Sequence, residues 1–348
     1  MSSHPAEVLI KVTTDIFAAS AVQPDAARRV AEALVEADAR GIGSHGLMLV
    51  PMYVDRLQAG SVSTNTSAEV VVDKGAIAVL DAGHALGVLT ADQAMSIAID
   101  KARTFGVGIV TTRRAFHFGG AFRYVQQAVR AGCIGIAAAN TRPLMPAPGG
   151  ATAVVGNNPV AVGVPGDDPI VVDMALSEAA LGKIRLAEAE GREIPPTWAT
   201  DAAGGPTTDP AAALAGLLLP IGGPKGYGLA LVIDILSGVL SGGAFGAGVK
   251  GLYANTAVPN DCAHFFLALD PEFFGGLSDF RQRVHELTSE VRSSELARGV
   301  SAVMLPGQRE AETAVRSHAD GVPVAEAVLT RLRTTAERVG VTFPGELT

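Results

Sequence analysis

Residues Ala39–Gly46, ARGIGSHG, decide how the fold is predicted, because they contain the string G-x-G-x-x-G. In dinucleotide-binding domains this string follows a strand and opens a helix, so that the pyrophosphate lies at the helix N-terminus. Here residues 23–41 before the string have helical periodicity, and Pro51 after it disfavours a long helix starting at Ser44. We therefore interpret the stretch as a tight loop that presents Ser44 and His45, and not as a phosphate cradle.

The composition indicates a folded protein with a substantial core. The 348 residues are 48% hydrophobic and 18% charged, which suits two domains or one large one. The 40 glycines and 20 prolines form no short repeat, which argues against collagen and disorder. The net charge is −8 and no basic run stands out, so we expect neither nucleic acid nor an anionic membrane as a partner. A locally basic pocket for a small anion stays compatible with this charge.

Cysteine usage and the apolar segments indicate a cytoplasmic protein. Cys133 and Cys262 are too few for a disulfide scaffold and too far apart for a cysteine-based zinc site, so no metal is expected. The first residues lack the basic start and apolar run of a signal peptide. The longest apolar stretch, residues 228–240, is too short to span a bilayer and contains Asp234.

The order of predicted elements places helical ends around a strand-rich centre. Helices are predicted over about 24–40 and 92–105, and residues 107–140 predict strand, helix and strand, which resembles α/β packing. Short β-branched runs follow in residues 153–176, and residues 263–271 predict another strand. Residues 225–240 are interpreted as one buried helix, and residues 277–296 and 322–339 as charged amphipathic helices.

Two histidines are candidates for proton transfer. A loop histidine such as His45 can act as a general acid or base because its pKa lies near neutrality, although it can also be a surface residue in a turn. His117 precedes Gly119 and Gly120 and then a predicted helix, whose first N–H groups can hold a phosphate. The alternative for His117 is a histidine that caps a turn.

Further polar residues lie beside the predicted strands. Asn140, Asn157 and Asn158 occupy loops, where structural roles are the default for asparagine. Asp173 lies inside an apolar run and needs a partner, either as a binding residue at the strand end or as a helix cap. Lys225 in GGPKGYG is not part of a Walker A string but can approach a phosphate. These residues indicate an enzyme with a glycine-lined site for an anionic ligand.

A series of short motifs occurs along the chain in a fixed order. They are SHG at 44–46 with Tyr53, HFGG at 117, PGG at 148, GNNP at 156, VVDMALS at 171, GK at 182, PTTDP at 206, GGPKGYGLAL at 222 and LPGQRE at 305. In this order they resemble the malate/L-lactate dehydrogenase-type oxidoreductases over nearly the whole chain, about 24–339. The GPKGYG and DPEFFGG strings look most similar to the ureidoglycolate dehydrogenase branch.

The resemblance implies a fold and a reaction. It implies an α/β fold without a Rossmann domain, with a largely antiparallel central sheet and helical N- and C-terminal segments. The implied division is a helical domain of residues 1–70 with 277–348, contributing to the substrate site and dimer, and a β-rich cofactor domain of residues 71–276. Family members are homodimers or larger and bind NAD or NADP. They transfer a hydride between nicotinamide and C2 of a small 2-hydroxy or 2-oxo acid, or a cyclic imino acid.

The resemblance also implies site residues. His45 would move the proton, with Ser44 and Lys183 in its relay and His117 as second choice for the acid–base role. The substrate contacts would come from Leu49, Tyr53, Asn157 and Arg142. The cofactor contacts would come from His117, Phe118, Gly119, Gly120, Ala121, Asn140, Asp173, Met174, Ala175, Lys225, Gly226, Pro306, Gly307 and Gln308.

Two positions depart from the family pattern. Leu49 stands where family members usually have an arginine that clamps the substrate carboxylate, and Asn157 stands where threonine is usual. Arg113, Arg114 and Arg142 are candidate substitutes for that arginine. Two alternatives therefore stay open beside the hydroxy-acid dehydrogenase. One is a cyclic ketimine reductase, although Lys183 in place of an aspartate favours the hydroxy-acid branch; the other is a cofactor-binding homologue that has lost or altered its turnover.

Overall fold

A seven-stranded sheet organises the chain, and helices cover both of its faces. The computed structural model describes residues 2–347; Met1 and Thr348, the outer ends of the predicted helical domain, lie outside the described residues. The strands are β1 Ser2–His4, β2 Glu69–Lys74, β3 Ile77–Asp81, β4 Val107–Ala115, β5 Ile134–Ala139, β6 Met145–Pro146, β7 Ala153–Val155, β8 Val160–Val164, β9 Ile170–Met174, β10 Cys262–Leu269 and β11 Val322–Val324. The α-helices are α1 Ala6–Ala19, α2 Pro24–Ala39, α3 Val50–Gln58, α4 Gly87–Phe105, α5 Phe122–Arg130, α6 Leu181–Ala189, α7 Pro210–Ala215, α8 Pro224–Asp234, α9 Leu277–Arg292, α10 Gln308–Asp320 and α11 Glu326–Arg338.

The strand order of the main sheet is β2-β3-β4-β10-β5-β8-β9. Of its six pairings only β3–β4 is parallel, so the prediction of a largely antiparallel sheet is confirmed. The strand–helix–strand segment predicted at 107–140 forms as β4, α5 and β5. However, β4 and β5 are not neighbours, because β10 lies between them and pairs antiparallel with both.

The alternating side chains of β10 divide the sheet into two packed faces. Phe266 and Ala268 belong to the core beneath α4 and α5, where buried alanines of α4 allow the helix to approach the strands closely. Phe265 and Leu267 point into the other core, beneath α8. A third core joins α1, α2 and α3 to the C-terminal α11, and the β1–β11 pairing fastens the two ends of the chain together.

The segment predicted as one buried helix at 225–240 differs from that prediction in two ways. The α-helix ends at Asp234 and continues as a π-helical turn over Ile235–Val239. One side of it is also uncovered, with exposures of 42–58% for its largest apolar side chains, Leu229, Leu231, Val232, Ile235, Val239 and Leu240. Apolar residues surround the whole helix because one side packs on the sheet while the other forms an exposed apolar face.

The C-terminal elements also differ in detail from their prediction. Residues 322–339 form strand β11 before helix α11, and helix α10 was not predicted. Among residues 2–347, no helix is both long and apolar enough to cross a membrane.

Candidate active site

The 41–49 loop is folded against the end of α2 by a single buried carboxylate. After α2 the chain turns at Gly41, whose φ is +77°, and forms two short 3-10 turns before α3 begins at Val50. The Asp38 carboxylate accepts a hydrogen bond from the Leu47 N–H at 2.7 Å. A Cβ at Gly46 would lie 2.3 Å from that carboxylate, so the position requires glycine. The element directly before the loop is helix α2 and not a strand, which agrees with its interpretation as a presenting loop.

The ring of His45, in this loop, faces the ring of His117, which lies just after β4. Their ring centroids lie 5.6 Å apart with an interplanar angle of 20°. The Nδ1 atom of His45 is hydrogen-bonded to the Ser44 hydroxyl at 3.0 Å, and that of His117 to the Tyr53 hydroxyl at 2.7 Å. Neither Nε2 atom has a hydrogen-bond partner within residues 2–347. Each ring is thus oriented by a hydroxyl at Nδ1, and its Nε2 atom is left without a protein partner among the described residues.

Both rings are neutral at pH 7. Burial lowers the pKa of His45 below its ordinary 6.5. Burial, followed by the proximity of His45 and His264, lowers the pKa of His117 to about 3. The loop histidine therefore favours its neutral form more than a solvent-exposed imidazole does, because the loop is folded inward. A neutral imidazole can accept a proton from an alcohol.

Tyr53 and Leu49 lie in the helical core rather than at an open surface. Tyr53 is completely buried on α3, and burial raises the pKa of its hydroxyl further above 10. Its hydroxyl therefore stays protonated and positions His117. Leu49 is 2% exposed among the same apolar side chains. This placement differs from the prediction that both contact substrate, since neither side chain reaches open space.

The first turn of α5 is bonded by a protein carboxylate. Asp173, near the end of β9, accepts a hydrogen bond from the Phe122 N–H at 2.8 Å. This corrects the phosphate site considered at this helix N-terminus, because the carboxylate already satisfies it, and it identifies Asp173 as a helix cap. Ala121, which occupies the N-cap position, and Phe118 are buried, and Gly119 has a φ of +75° with open space beside it.

Other segments predicted to hold the cofactor meet along β9. Val171 donates its N–H to the Pro306 carbonyl at 3.1 Å, and a Cβ at Gly307 would lie 2.6 Å from the Val171 carbonyl. Gln308 holds the same turn by accepting from the Leu305 N–H at 3.2 Å. Residues 306–308 therefore lie beside the strand that carries Asp173 and the following Met174 and Ala175.

The loop before α8 reaches the same strand end. Leu176, next to Ala175, accepts from the Ile221 N–H at 3.0 Å and donates to the Asn157 carbonyl at 2.8 Å. Gly226 is buried, and the position requires glycine because a Cβ there would lie 2.1 Å from the Ile221 carbonyl oxygen. Lys225 beside it is exposed and forms no ion pair among the described residues.

The residues around the end of β9 form a region whose chemistry is compatible with a nicotinamide dinucleotide. It offers a carboxylate at Asp173, a suitable group for a ribose hydroxyl, and an exposed ammonium at Lys225 that suits a phosphate. Met174 adds an apolar surface with 38% exposure. Gly222 and Gly223 have φ values of +60° and +62° and no neighbouring atom within 4 Å of a built Cβ, so a ligand can approach the backbone there.

Asn140 is committed to the protein structure. Its side-chain amide donates to Asp234 Oδ1 at 2.8 Å and to the Ala244 carbonyl at 2.9 Å, and its oxygen accepts from the Ala263 N–H at 2.7 Å. The residue is 1% exposed. The predicted cofactor contact by this side chain is therefore corrected: Asn140 connects β5, α8 and β10.

The remaining predicted residues are less tightly placed. Lys183, at the start of α6, and Arg142, after β5, are exposed and form no ion pair within residues 2–347. No hydrogen bond joins Lys183 to either histidine of the pair. The Asn157 side chain accepts from the Thr141 hydroxyl at 3.1 Å.

The other two candidate arginines already have a partner. Arg113 and Arg114 both donate to Asp81, at 3.2 and 3.3 Å. Arg142 is therefore the unpaired member of the three arginines considered for the carboxylate clamp.

Two residues of the site were not found from the sequence. Asp38 holds the loop that carries His45, and burial raises the pKa of its carboxyl to about 7. His264 is fully buried in β10 and stacks on Phe118 at 4.5 Å, while Tyr124 stacks on the other side of that ring at 5.0 Å. The available signals were a polar residue on the apolar side of α2 and a histidine inside an apolar strand.

Comparisons with known proteins agree with this architecture. Residues 4–333 match the malate/L-lactate dehydrogenase family model. The chain is 37% identical over 335 residues to L-sulfolactate dehydrogenase from Methanocaldococcus jannaschii, with 95% of each chain covered. It is 36% identical over 324 residues to ureidoglycolate dehydrogenase (NAD(+)) from Escherichia coli O157:H7, with 92% of each covered.

Solved structures match over almost the full length. Sulfolactate dehydrogenase from Methanocaldococcus jannaschii has a TM-score of 0.93 at 36% identity, with 98% of both chains covered. Delta1-piperideine-2-carboxylate reductase from Pseudomonas syringae pv. tomato has a TM-score of 0.86 at 30% identity, with coverages of 97% and 100%. The chain belongs to the malate/L-lactate dehydrogenase family, which confirms the resemblance found from the motif order.

Proposed function

We propose that this protein is an NAD(P)-dependent dehydrogenase that transfers a hydride between nicotinamide and C2 of a small 2-hydroxy or 2-oxo acid. The observation that carries the proposal is the stacked pair of neutral imidazoles, each oriented at Nδ1 and unpaired at Nε2. Family membership supports the type of reaction.

His45 is the residue proposed to move the proton. Oxidation of an alcohol at C2 releases a proton, and the free Nε2 of neutral His45 accepts it. Ser44 holds the ring from its other nitrogen. His117 is the second choice for this role. Because its ring is hydrogen-bonded to the buried Tyr53 hydroxyl, we assign it mainly to shaping the site. Lys183 is retained as a relay or substrate-orienting residue.

The nicotinamide cofactor, when bound, supplies the hydride chemistry. The residues proposed to hold it are His117, Phe118, Gly119, Gly120, Ala121, Asp173, Met174, Ala175, Lys225, Gly226, Pro306, Gly307 and Gln308. Either NAD or NADP is compatible with this set.

The substrate carboxylate needs a cation in place of the family arginine. Arg142 is the proposed partner, because its guanidinium is exposed and has no carboxylate partner within the described residues. Asn157, two residues after Val155 of β7, is proposed to contact the polar end of the substrate.

The assembly and the cellular setting belong to the same proposal. We propose a homodimer or larger, because the exposed apolar face of α8 and the π-helical turn is too extended to be left in water.

A two-domain division at residues 1–70 with 277–348 and 71–276 is supported by the shared core of α1, α2, α3 and α11. The cytoplasm is the proposed compartment, since both cysteines are free and buried.

A test measures nicotinamide absorbance with a panel of 2-hydroxy acids, 2-oxo acids and cyclic imino acids, each with both cofactors. Turnover of hydroxy or oxo acids supports the proposal. Turnover of cyclic imines alone would favour a ketimine reductase, the alternative that the piperideine-carboxylate reductase neighbour supports. Cofactor binding without any turnover would favour an altered homologue, for which the buried Leu49 is the reason. Separate titrations with NADH and NADPH decide the cofactor.

A further inference from the structure

A second concave site lies on the outer side of α4 and α5. It is a cavity of about 560 Å³, and none of its lining residues belongs to the candidate active site. Arg29 of α2, Asp92 of α4, and Arg123 and Arg130 of α5 line it, together with Thr66 and Ser67 from the loop before β2. Three guanidinium groups therefore face one carboxylate.

The single carboxylate is already saturated by two of the arginines. Asp92 accepts from Arg29 Nη2 at 3.0 Å and from Arg123 Nε and Nη2 at 2.9 Å each. The nearest other acids have their own partners, since Glu32 is bonded to Arg28, and Glu36 to Arg40 and His318. The lining of the cavity therefore carries three guanidinium groups and one carboxylate, so its net charge is positive.

Arg130 is the cation without a partner. It is the last residue of α5, it is exposed, and it forms no ion pair among the described residues. Partial burial, followed by the neighbouring Arg123 and Arg40, lowers its pKa, and the more weakly acting carboxylates of Asp92 and Glu36 do not compensate. A bound anion would relieve this unfavourable crowding of cations.

The cavity also presents hydroxyl donors from another element. Thr66 and Ser67 line it, and neither hydroxyl has a hydrogen-bond partner in residues 2–347. Guanidinium groups and hydroxyls that approach from separate elements match an anion with several acceptor oxygens better than a planar carboxylate. The cavity is larger than a free phosphate ion, so it can also hold an organic group attached to the phosphate.

We propose that this cavity is a binding site for a phosphate group, either as the free ion or as a phosphomonoester. The inference is independent of the dehydrogenase activity. The apolar face proposed for the dimer lies on the α8 side of the sheet, and the cavity lies on the α4–α5 side. Dimer formation through α8 therefore leaves the cavity open.

The test is calorimetric titration of the full-length protein with inorganic phosphate at constant ionic strength. We expect saturable binding to the wild type and a dissociation constant weaker by about tenfold or more in Arg130→Gln, which loses a charge-assisted hydrogen bond. Arg281→Gln is the matched control, because Arg281 is exposed on α9 without an ion pair among the described residues, and we expect it to bind as the wild type does. Absence of saturable binding to the wild type, or equal weakening by both substitutions, would overturn the proposal.

Two further titrations identify the ligand. Tighter binding of glycerol phosphate than of inorganic phosphate would assign the site to a phosphomonoester, and the reverse order to the free ion; both outcomes support the proposal. Malonate binding as tightly as either would overturn the choice of phosphate. NADH should leave phosphate binding unchanged, because no residue that lines the cavity belongs to the proposed cofactor site. Displacement of phosphate by NADH would instead mean that phosphate occupies the cofactor site.

Discussion

The two histidines of the candidate active site are held in different ways. His45 lies in a glycine-rich loop and is bonded to Ser44, an exposed neighbour in the chain. His117 is bonded to Tyr53, which is completely buried and 64 residues away in the chain. The loop around His117 is also fixed by Phe118, stacked between His264 and Tyr124. The His117 ring is therefore fixed by buried contacts from distant segments, whereas the His45 ring is held only by an exposed neighbour in its own loop.

The largest expected effect comes from exchanging the two imidazoles for amides. We expect His45→Gln to lower kcat by roughly 10²–10⁴-fold, the usual contribution of a general base, with nearly unchanged NAD(P)H binding. We expect His117→Gln to lower kcat less and to weaken cofactor binding. Steady-state kinetics and fluorescence titration of the reduced cofactor measure both. A larger fall in kcat for His117→Gln would exchange the two roles.

Removing the hydroxyl group that holds each imidazole tests whether the two rings are supported differently. Tyr53→Phe should lower the free energy of unfolding by about 1–3 kcal/mol, because it leaves a buried nitrogen unpaired, and it should also reduce kcat. Ser44→Ala should change stability by less than about 0.5 kcal/mol, since Ser44 is exposed. Denaturant unfolding and kcat are the measurements, with Tyr227→Phe as control because its hydroxyl has no protein partner within residues 2–347. If Tyr53→Phe and Ser44→Ala lowered the free energy of unfolding equally, the claim that the two rings are held differently would be wrong.

The pH dependence of alcohol oxidation distinguishes the rings by their pKa values. The base must be neutral, so kcat/KM falls as the pH drops through its pKa. If His45 is the base, this fall lies below the ordinary 6.5; if His117 is the base, it lies at about 3. Both pKa values are lowered by folding, so the folded state binds fewer protons than the unfolded one, and stability decreases as the pH falls below 6.5. A kcat/KM profile with its acidic limb above 6.5 would contradict the role of either ring.

The smallest expected effect on catalysis comes from Asp38 beneath the His45 loop. In Asp38→Asn the amide oxygen can still accept from the Leu47 N–H, so kcat should stay within about twofold of the wild type. Stability should change more. The folded pKa of about 7 exceeds the unfolded 3.8, so the wild type loses stability as the pH rises between these values, whereas the variant should not. Thermal unfolding across this range measures the difference, and a large fall in kcat would show that the loop needs the charged group.

Local signals predicted much of the fold and the loop that carries His45. The periodicity of α2, the glycines after it and the order of short motifs are all encoded within a few neighbouring residues. The structure confirmed the helix and the antiparallel sheet, and the family comparison confirmed the resemblance. The catalytic and binding roles of the site residues stay predictions, and for Lys183 and Arg142 no described contact joins them to the histidine pair.

Contacts between residues that are far apart in the chain could not be predicted from the local sequence pattern. The bond between Tyr53 and His117, the stacking of His264 on Phe118 and the capping of α5 by Asp173 each join distant segments. Motif position suggested substrate contact for Tyr53, whereas packing buries it. Likewise, hydropathy alone does not tell whether the apolar side chains of α8 meet the sheet or another surface.

The position of β10 has a consequence for how the chain reaches its native state. β4 and β5 can pair with it only after residue 262 has been synthesised, and Ala263 bonds to Asn140, 123 residues earlier in the chain. Until then both strands present open edges, which can pair with other chains. Such non-local closure is slow, so the growing polypeptide passes through an aggregation-prone stage that ends when its central strand arrives. The last strand of the main sheet to be synthesised, β10, is thus the strand that occupies its centre.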